Sequence, residues 1–251
     1  MKVLITGASS GIGLDMAKYL ATQKHELILV ARDKEKLEII QEKLPTKVTI
    51  IVADLSNEQK VKELYVIAKK ENIDILINNA GLGDFGYLTD TDINKDLELI
   101  NTNIKAVHIL TKQFVKDMEK KETDTYILNV ASSAAFQPGP LMSTYYATKS
   151  YVYQLTEALY YEEKKKNTNV HVSVLCPGPV KTNFNNVAGV EFSVKPLKST
   201  YVAKYAIDKM FAEKMLIIPG FGMRMSKFFS RFVSDKFLLR IIYRVQKRKR
   251  K

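Results

Sequence analysis

Short apolar runs alternate with amphipathic stretches along most of the chain. The runs predict strands at Lys2–Thr6, His25–Ala31, Lys47–Ala53, Ile73–Asn78, Thr125–Ser132, Val170–Cys176 and Met215–Ile218. Between them, apolar residues spaced by three and four predict helices at about 12–22, 34–44, 57–71, 94–121, 143–166 and 199–213. Strands alternating with helices imply right-handed βαβ units and an α/β fold. Its doubly wound parallel sheet has helices on both faces and strand order 3-2-1-4-5-6 plus a seventh strand. Ligands bind such a sheet beyond the carboxyl ends of its strands, so the residues just after each strand hold the candidate chemistry.

The pattern changes near residue 221. From Met225 onward Phe228, Phe229, Phe232, Val233, Phe237, Leu238, Ile241, Ile242 and Val245 trace an amphipathic helix with a break near Ser234-Asp235. Charge changes at the same place. The chain has 251 residues and a net charge of +12, yet residues 224–251 hold eleven Lys/Arg and one acid. Residues 1–223 keep 28 basic and 26 acidic residues and are nearly neutral. We therefore expect one catalytic domain at 1–221, including a variable loop at 183–198, and a basic amphipathic tail at 222–251. A nucleic-acid enzyme would spread its basic face over the fold, which argues against that partner. A basic amphipathic tail suits an anionic membrane surface, packing on the body, or assembly. Arg224, Lys227 and Arg231 are expected to face away from its first apolar stripe.

Composition adds little else. A single cysteine, Cys176, allows no internal disulfide and suits a reducing compartment. Met1-Lys2 runs straight into Val3–Ile5, too short for a signal-peptide core, so a cytoplasmic protein is expected, possible membrane contact being peripheral. No metal site is expected.

Tyr145 and Lys149 lie four apart and share one helix face. A free phenol titrates near ~10, and a nearby ammonium favours its ionised form. A serine facing the same point, Ser132, would polarise a carbonyl oxygen. Directly after the first strand, Thr6-Gly7-Ala8-Ser9-Ser10-Gly11-Ile12-Gly13 opens a helix. Glycines there allow a tight turn and close approach of a pyrophosphate, which the helix N-terminus attracts. Ala31 stands where an NAD site usually carries an acid, and Arg32 follows, which favours a 2′-phosphate and NADP(H). Asp33 would be that acid if the register slipped by two. Asp54, after the third strand, suits the adenine amino group or an N-cap for the helix near Ser56.

Five motifs follow one another in order: Thr6–Gly13, Asn78-Asn79-Ala80-Gly81, Ser132, Tyr145-x-x-x-Lys149, and Pro177-Gly178-Pro179-Val180-Lys181-Thr182. Together they resemble the short-chain dehydrogenase/reductases over about residues 1–215, with a Rossmann-type sheet. The resemblance implies Tyr145 as general acid/base, Ser132 orienting the substrate oxygen, and Lys149 lowering the tyrosine pKa and holding the nicotinamide ribose. Asn103 resembles the asparagine that holds a relay water, with Asn101 as its rival. Tyr146 rivals Tyr145, and Ser133 rivals Ser132, but the spacings favour the first of each. Cofactor contacts are implied for Gly7, Ser9, Ser10, Gly11, Ile12, Gly13, Arg32, Asp54, Leu55, Asn79, Ala80, Gly81, Tyr145, Lys149, Pro177, Gly178, Val180 and Thr182. Asn78, Ala80 and Gly81 suit either the adenine ribose or the sheet itself. Ala135 departs from the glycine common there.

The implied activity is NADP(H)-dependent interconversion of a carbonyl and a secondary alcohol by a homo-oligomer, dimer or tetramer. Phe184, Val187, Val190, Phe192, Val194 and Leu197 suggest an apolar lid, as do Phe85 and Tyr87 after the fourth strand, or else they pack the loop onto the body. A lid implies a lipid-like, steroid-like or similar apolar small-molecule substrate. The alternative is a non-catalytic nucleotide-binding protein of the same fold. Such proteins usually lose the tyrosine or the lysine, and both are here.

Overall fold

Strands β1 (Lys2–Thr6), β2 (Glu26–Ala31), β3 (Val48–Val52), β4 (Ile75–Asn78), β5 (Thr125–Val130), β6 (Val170–Leu175) and β9 (Leu216–Ile217) form one parallel sheet. Their order is β3-β2-β1-β4-β5-β6-β9, the doubly wound arrangement expected. The computed structural model describes residues 1–182, 184, 195–230 and 232–248. Two further short strands, β7 (Val180–Lys181) and β8 (Leu197–Lys198), pair with each other.

Both faces of the sheet are covered, so its central strands are apolar without polar alternation. On one face Val3, Ile5, Leu27 and Leu29 meet α1 (Gly11–Thr22), α2 (Lys34–Lys43) and α7 (Ser199–Phe211) through Met16, Leu20, Leu37, Val202 and Ile207. On the other, Leu4, Ile28, Leu76 and Ile127 meet Leu64 of α3 (Glu58–Lys69) and Leu110 and Phe114 of α5 (Val107–Met118). Each such side chain contributes about 1.5–3 kcal/mol by leaving water. Helix α6 (Ser143–Lys166) runs along this second face and ends at Asn167, whose φ of 55° is a left-handed C-cap.

The helix expected over 94–121 is interrupted. α4 (Ile93–Ile100) passes into a π-helical turn at Asn101–Ala106 before α5 resumes. The wider turn sets Asn103 fully inside the protein, where its side chain meets the loop after β4. Hydrophobic periodicity carries no trace of one inserted residue. The fourth strand also begins later than expected. Asp74 accepts from the Lys2 amide and the Lys121 ammonium, both at 2.8 Å, and serves as a turn anchor instead.

The tail forms two helices, α8 (Phe221–Ser230) and α9 (Asp235–Lys247), with Ser234 as N-cap of the second. It packs on the body. Lys227 turns inward instead of outward: its ammonium lies 4.5 Å from the Phe136 ring centroid and donates to the Tyr153 hydroxyl at 2.7 Å. Arg231 lies outside the described residues.

A polar network ties the sheet centre together. Asn78 Nδ2 donates to Asn129 Oδ1 at 2.9 Å and Thr111 Oγ1 at 3.0 Å, while Asn129 Nδ2 donates to Thr156 Oγ1 at 3.0 Å. Four elements, β4, β5, α5 and α6, are joined this way. Asn78→Ala should cost about 1–3 kcal/mol in urea unfolding. Nicotinamide-cofactor affinity should stay within about twofold, since the side chain is sealed in the core.

Candidate functional site

The carboxyl ends of β1, β4, β5 and β6 surround a cavity of about 380 Å³, a volume suited to a small molecule or part of a cofactor. Its floor is built by mutual bracing of two loops. Thr6 Oγ1 accepts from the amides of Asn79 and Ala80, at 3.0 and 3.1 Å. Asn79 Nδ2 returns bonds to the carbonyls of Thr6 and Gly7, at 3.0 and 3.1 Å. Gly7 has φ of 65°, and a Cβ there would stand 2.8 Å from Ala80 Cα. Only glycine satisfies both conditions.

Gly7, Ser9, Ser10, Gly11 and Ile12 line the cavity at the N-terminus of α1. Gly13 lies off the wall, packed against the Asn79 carboxamide and Gly7 carbonyl. This backbone cradle, with helix N–H groups behind it, fits the pyrophosphate of a dinucleotide. Arg32, Asp54, Leu55, Asn79, Ala80 and Gly81 line the cavity too, as do Pro177, Gly178, Val180 and Thr182.

Asp33 is occupied elsewhere. It caps α2 by accepting from the Lys36 amide at 3.0 Å, and pairs with the Lys36 ammonium at 2.6 Å. Asp54 is not a helix cap: the cap of α3 is Asn57, and Asp54 Oδ1 instead holds the Ser56 amide and hydroxyl. Arg32 is mostly exposed and pairs with Glu98 at 3.0 Å.

Ser132, Tyr145 and Lys149 meet at one wall. Ser132 ends the extended segment after β5, and its hydroxyl caps a 3-10 turn at Ser133–Phe136 by accepting from Ala134 N at 3.1 Å. The same hydroxyl lines the cavity beside Tyr145 and favours its ionised form. Lys149 is buried, donates to the Val130 carbonyl at 3.0 Å, and lies 5.9 Å from the Tyr145 ring centroid. Burial dominates the titration of both groups. It pushes the Tyr145 phenol up to about 12, against the opposing influence of the Ser132 hydroxyl, and holds the Lys149 ammonium down at about 8. At this tyrosine the upward push of burial outweighs the downward pull of its polar neighbour.

The rivals differ in their partners. Ser133 also lines the cavity, while its amide is tied to the Pro177 carbonyl at 2.8 Å. Tyr146 lines the cavity with its hydroxyl bonded to Gln246 of α9, and burial raises its phenol still further. Asn103 is off the wall, where Thr102 stands instead. Its side chain is fully engaged, exchanging 2.9 Å bonds with both backbone groups of Leu82 and donating to Thr148 Oγ1 at 3.0 Å. Any water relay there would have to use its backbone carbonyl.

Apolar groups crowd the tyrosine. Phe184 lies 5.5 Å from Tyr145 between ring centroids, and Phe85, Ala134 and Met142 complete the cluster. Leu197 packs into the sheet core rather than over the cavity, and Tyr87 bonds Tyr243 of α9. Val187, Val190, Phe192 and Val194 lie outside the described residues. The tail's part in this wall was not foreseen; the Gln246 side chain, polar on the buried side of α9, is the signal that could have found it.

Known proteins decide the class. The family model for short chain dehydrogenases matches residues 1–190. The chain belongs to that family. This short-chain dehydrogenase is 32% identical over 182 residues to an uncharacterized oxidoreductase of Staphylococcus epidermidis, covering 71% of this chain and 77% of that one. Its fold matches a short-chain dehydrogenase from Sphingobium yanoikuyae in complex with NADPH. That match has a TM-score of 0.83 at 27% identity, covering 92% and 93% of the two chains. It also matches a Burkholderia phymatum member in complex with NAD, with a TM-score of 0.82 at 25% identity, covering 90% and 91%. The short-chain dehydrogenase is thus an oxidoreductase of a family whose solved members bind either nicotinamide cofactor.

Gly81 tests the wall. A Cβ there would stand 3.1 Å from Lys149 Nζ and 3.4 Å from Asn103 Oδ1. Gly81→Ala should leave the circular-dichroism spectrum unchanged and lower kcat by about tenfold to a hundredfold, by displacing the lysine.

Proposed function

We propose that this short-chain dehydrogenase is an NADP(H)-dependent oxidoreductase that interconverts an apolar ketone or aldehyde and its alcohol. The observation behind this reading is the meeting of the Ser132 hydroxyl, the Tyr145 phenol and the Lys149 ammonium beside a glycine cradle. A bound nicotinamide supplies the hydride; the chain's own residues manage the oxygen. In the reductive direction the Ser132 and Tyr145 hydroxyls donate to the carbonyl oxygen, where negative charge develops. Tyr145 then gives up its proton. A phenol held at about 12 is protonated at neutral pH, which suits a proton donor. The Lys149 ammonium stabilises the phenolate left behind, and remains largely charged below its pKa of about 8. Asn103 acts as a positioning residue through Leu82 and Thr148.

The apolar cluster around Tyr145 supports a lipid-like or steroid-like carbonyl compound. Arg32 on the cavity wall, with Asp33 committed to capping α2, supports a 2′-phosphate. A homo-oligomer is part of the same reading, supported by exposed Ile93 and Leu97 on α4 and Tyr151 on α6. So is a reducing cytoplasm, which suits the buried free Cys176.

Tyr145→Phe should lower kcat by about a hundredfold or more while cofactor affinity, read by nicotinamide fluorescence, is preserved. A variant retaining more than about a tenth of wild-type turnover would contradict the proton-donor role. With the wild type, kcat/KM should be higher with NADPH than with NADH, and Arg32→Ala should erode that ratio by about tenfold. A wild type that prefers NADH would overturn the 2′-phosphate reading.

A further inference from the structure

Helix α9 divides its surface into three stripes, each repeating every fourth residue. Leu238, Ile242 and Gln246 face the body, with Ile242 and Gln246 buried. Phe237, Ile241 and Val245 are exposed, at 56%, 42% and 37%. Arg240, Arg244 and Arg248 form the third stripe, also exposed. Helix α8 and the turn after it add an aromatic cluster: Phe228 lies 5.4 Å from both Phe229 and Phe232 between centroids, and all three are more than half exposed. Large apolar patches rimmed by one sign of charge mark an interaction site.

We propose that the outer face of α8 and α9 docks on an anionic phospholipid bilayer. Charge complementarity selects this occupant. Residues 224–251 carry eleven basic residues and one acid, so two copies meeting through this face would repel. Apolar side chains beside an arginine stripe match the acyl–headgroup boundary of an anionic leaflet. Among the described residues no helix is long and apolar enough to cross a membrane, so the contact is peripheral. The buried stripe of α9 reaches the cavity wall, where Gln246 donates to the Tyr146 hydroxyl; away from the cavity, Tyr243 meets the exposed Tyr87 at 2.7 Å. Docking therefore sets the catalytic pocket beside the bilayer, and its substrate is a carbonyl compound dissolved there. That last step rests on the function proposed above; the docking does not.

Co-sedimentation of the full chain with vesicles of phosphatidylcholine, with and without phosphatidylglycerol, tests this. The wild type should pellet only with the phosphatidylglycerol vesicles, and less as salt is raised. The pairs Arg240→Gln/Arg244→Gln and Phe229→Ser/Phe232→Ser should each weaken partitioning by roughly tenfold or more, with circular dichroism unchanged. Equal recovery with both vesicles, or none with either, would overturn the proposal. So would light scattering that shows an oligomer dissociated by the same substitutions, since a second copy would then cover the face. Ketone reduction without vesicle binding would sink the docking alone, whereas vesicle binding without any turnover would sink the catalytic reading alone.

Discussion

The hydroxyl of Thr6 and the carboxamide of Asn79 hold the ends of β1 and β4 together, and the site depends on that bracing. Each group bonds backbone atoms of the other loop, so neither loop can shift without stranding buried donors and acceptors. Gly7 can approach Ala80 only because it lacks a side chain. From this junction α1 starts with its N-terminus toward the cavity, and the loop after β4 continues to Leu82, where Asn103 clamps it. Gly81 then rests against Lys149. A chain of close contacts thus runs from the glycine turn after β1 to the lysine and ties the two halves of the cavity together.

Electrostatics on the other wall follow from burial more than from pairing. Lys149 is buried and Tyr145 partly so, and each is driven toward its neutral form. The phenol is protonated near neutrality, and the lysine stays mostly charged there. Ser132 is fixed by its bond from Ala134 N and remains free to donate.

Much of this was legible in the sequence because it is written in local patterns. Buried parallel strands read as apolar runs, and Leu4 between Val3 and Ile5 already alternates between two covered faces. Glycine spacing after β1 and the four-residue step from Tyr145 to Lys149 are backbone requirements visible as letters. What escaped depends on distant partners. The π-helical turn that buries Asn103 changes no hydrophobic period. The roles of Asp33 and Asp54 are set by their bonds to Lys36 and Ser56, which spacing alone does not specify. An outward charge is what the local pattern suggests for Lys227, yet Phe136 and Tyr153, far away in sequence, draw it inward. Gln246, a polar residue on the apolar Leu238–Ile242 stripe of α9, is the one local sign of that helix's contact with Tyr146.

The proposed hydride transfer beside Tyr145 is tested most directly by isotopic labelling. The protein would be incubated with a panel of apolar ketones and NADPH carrying deuterium on either face of nicotinamide C4, and the products analysed by mass spectrometry. The account predicts an alcohol that gains one deuterium on its carbinol carbon from one of the two labelled cofactors. Cofactor that binds but keeps its deuterium with every ketone in the panel would contradict it.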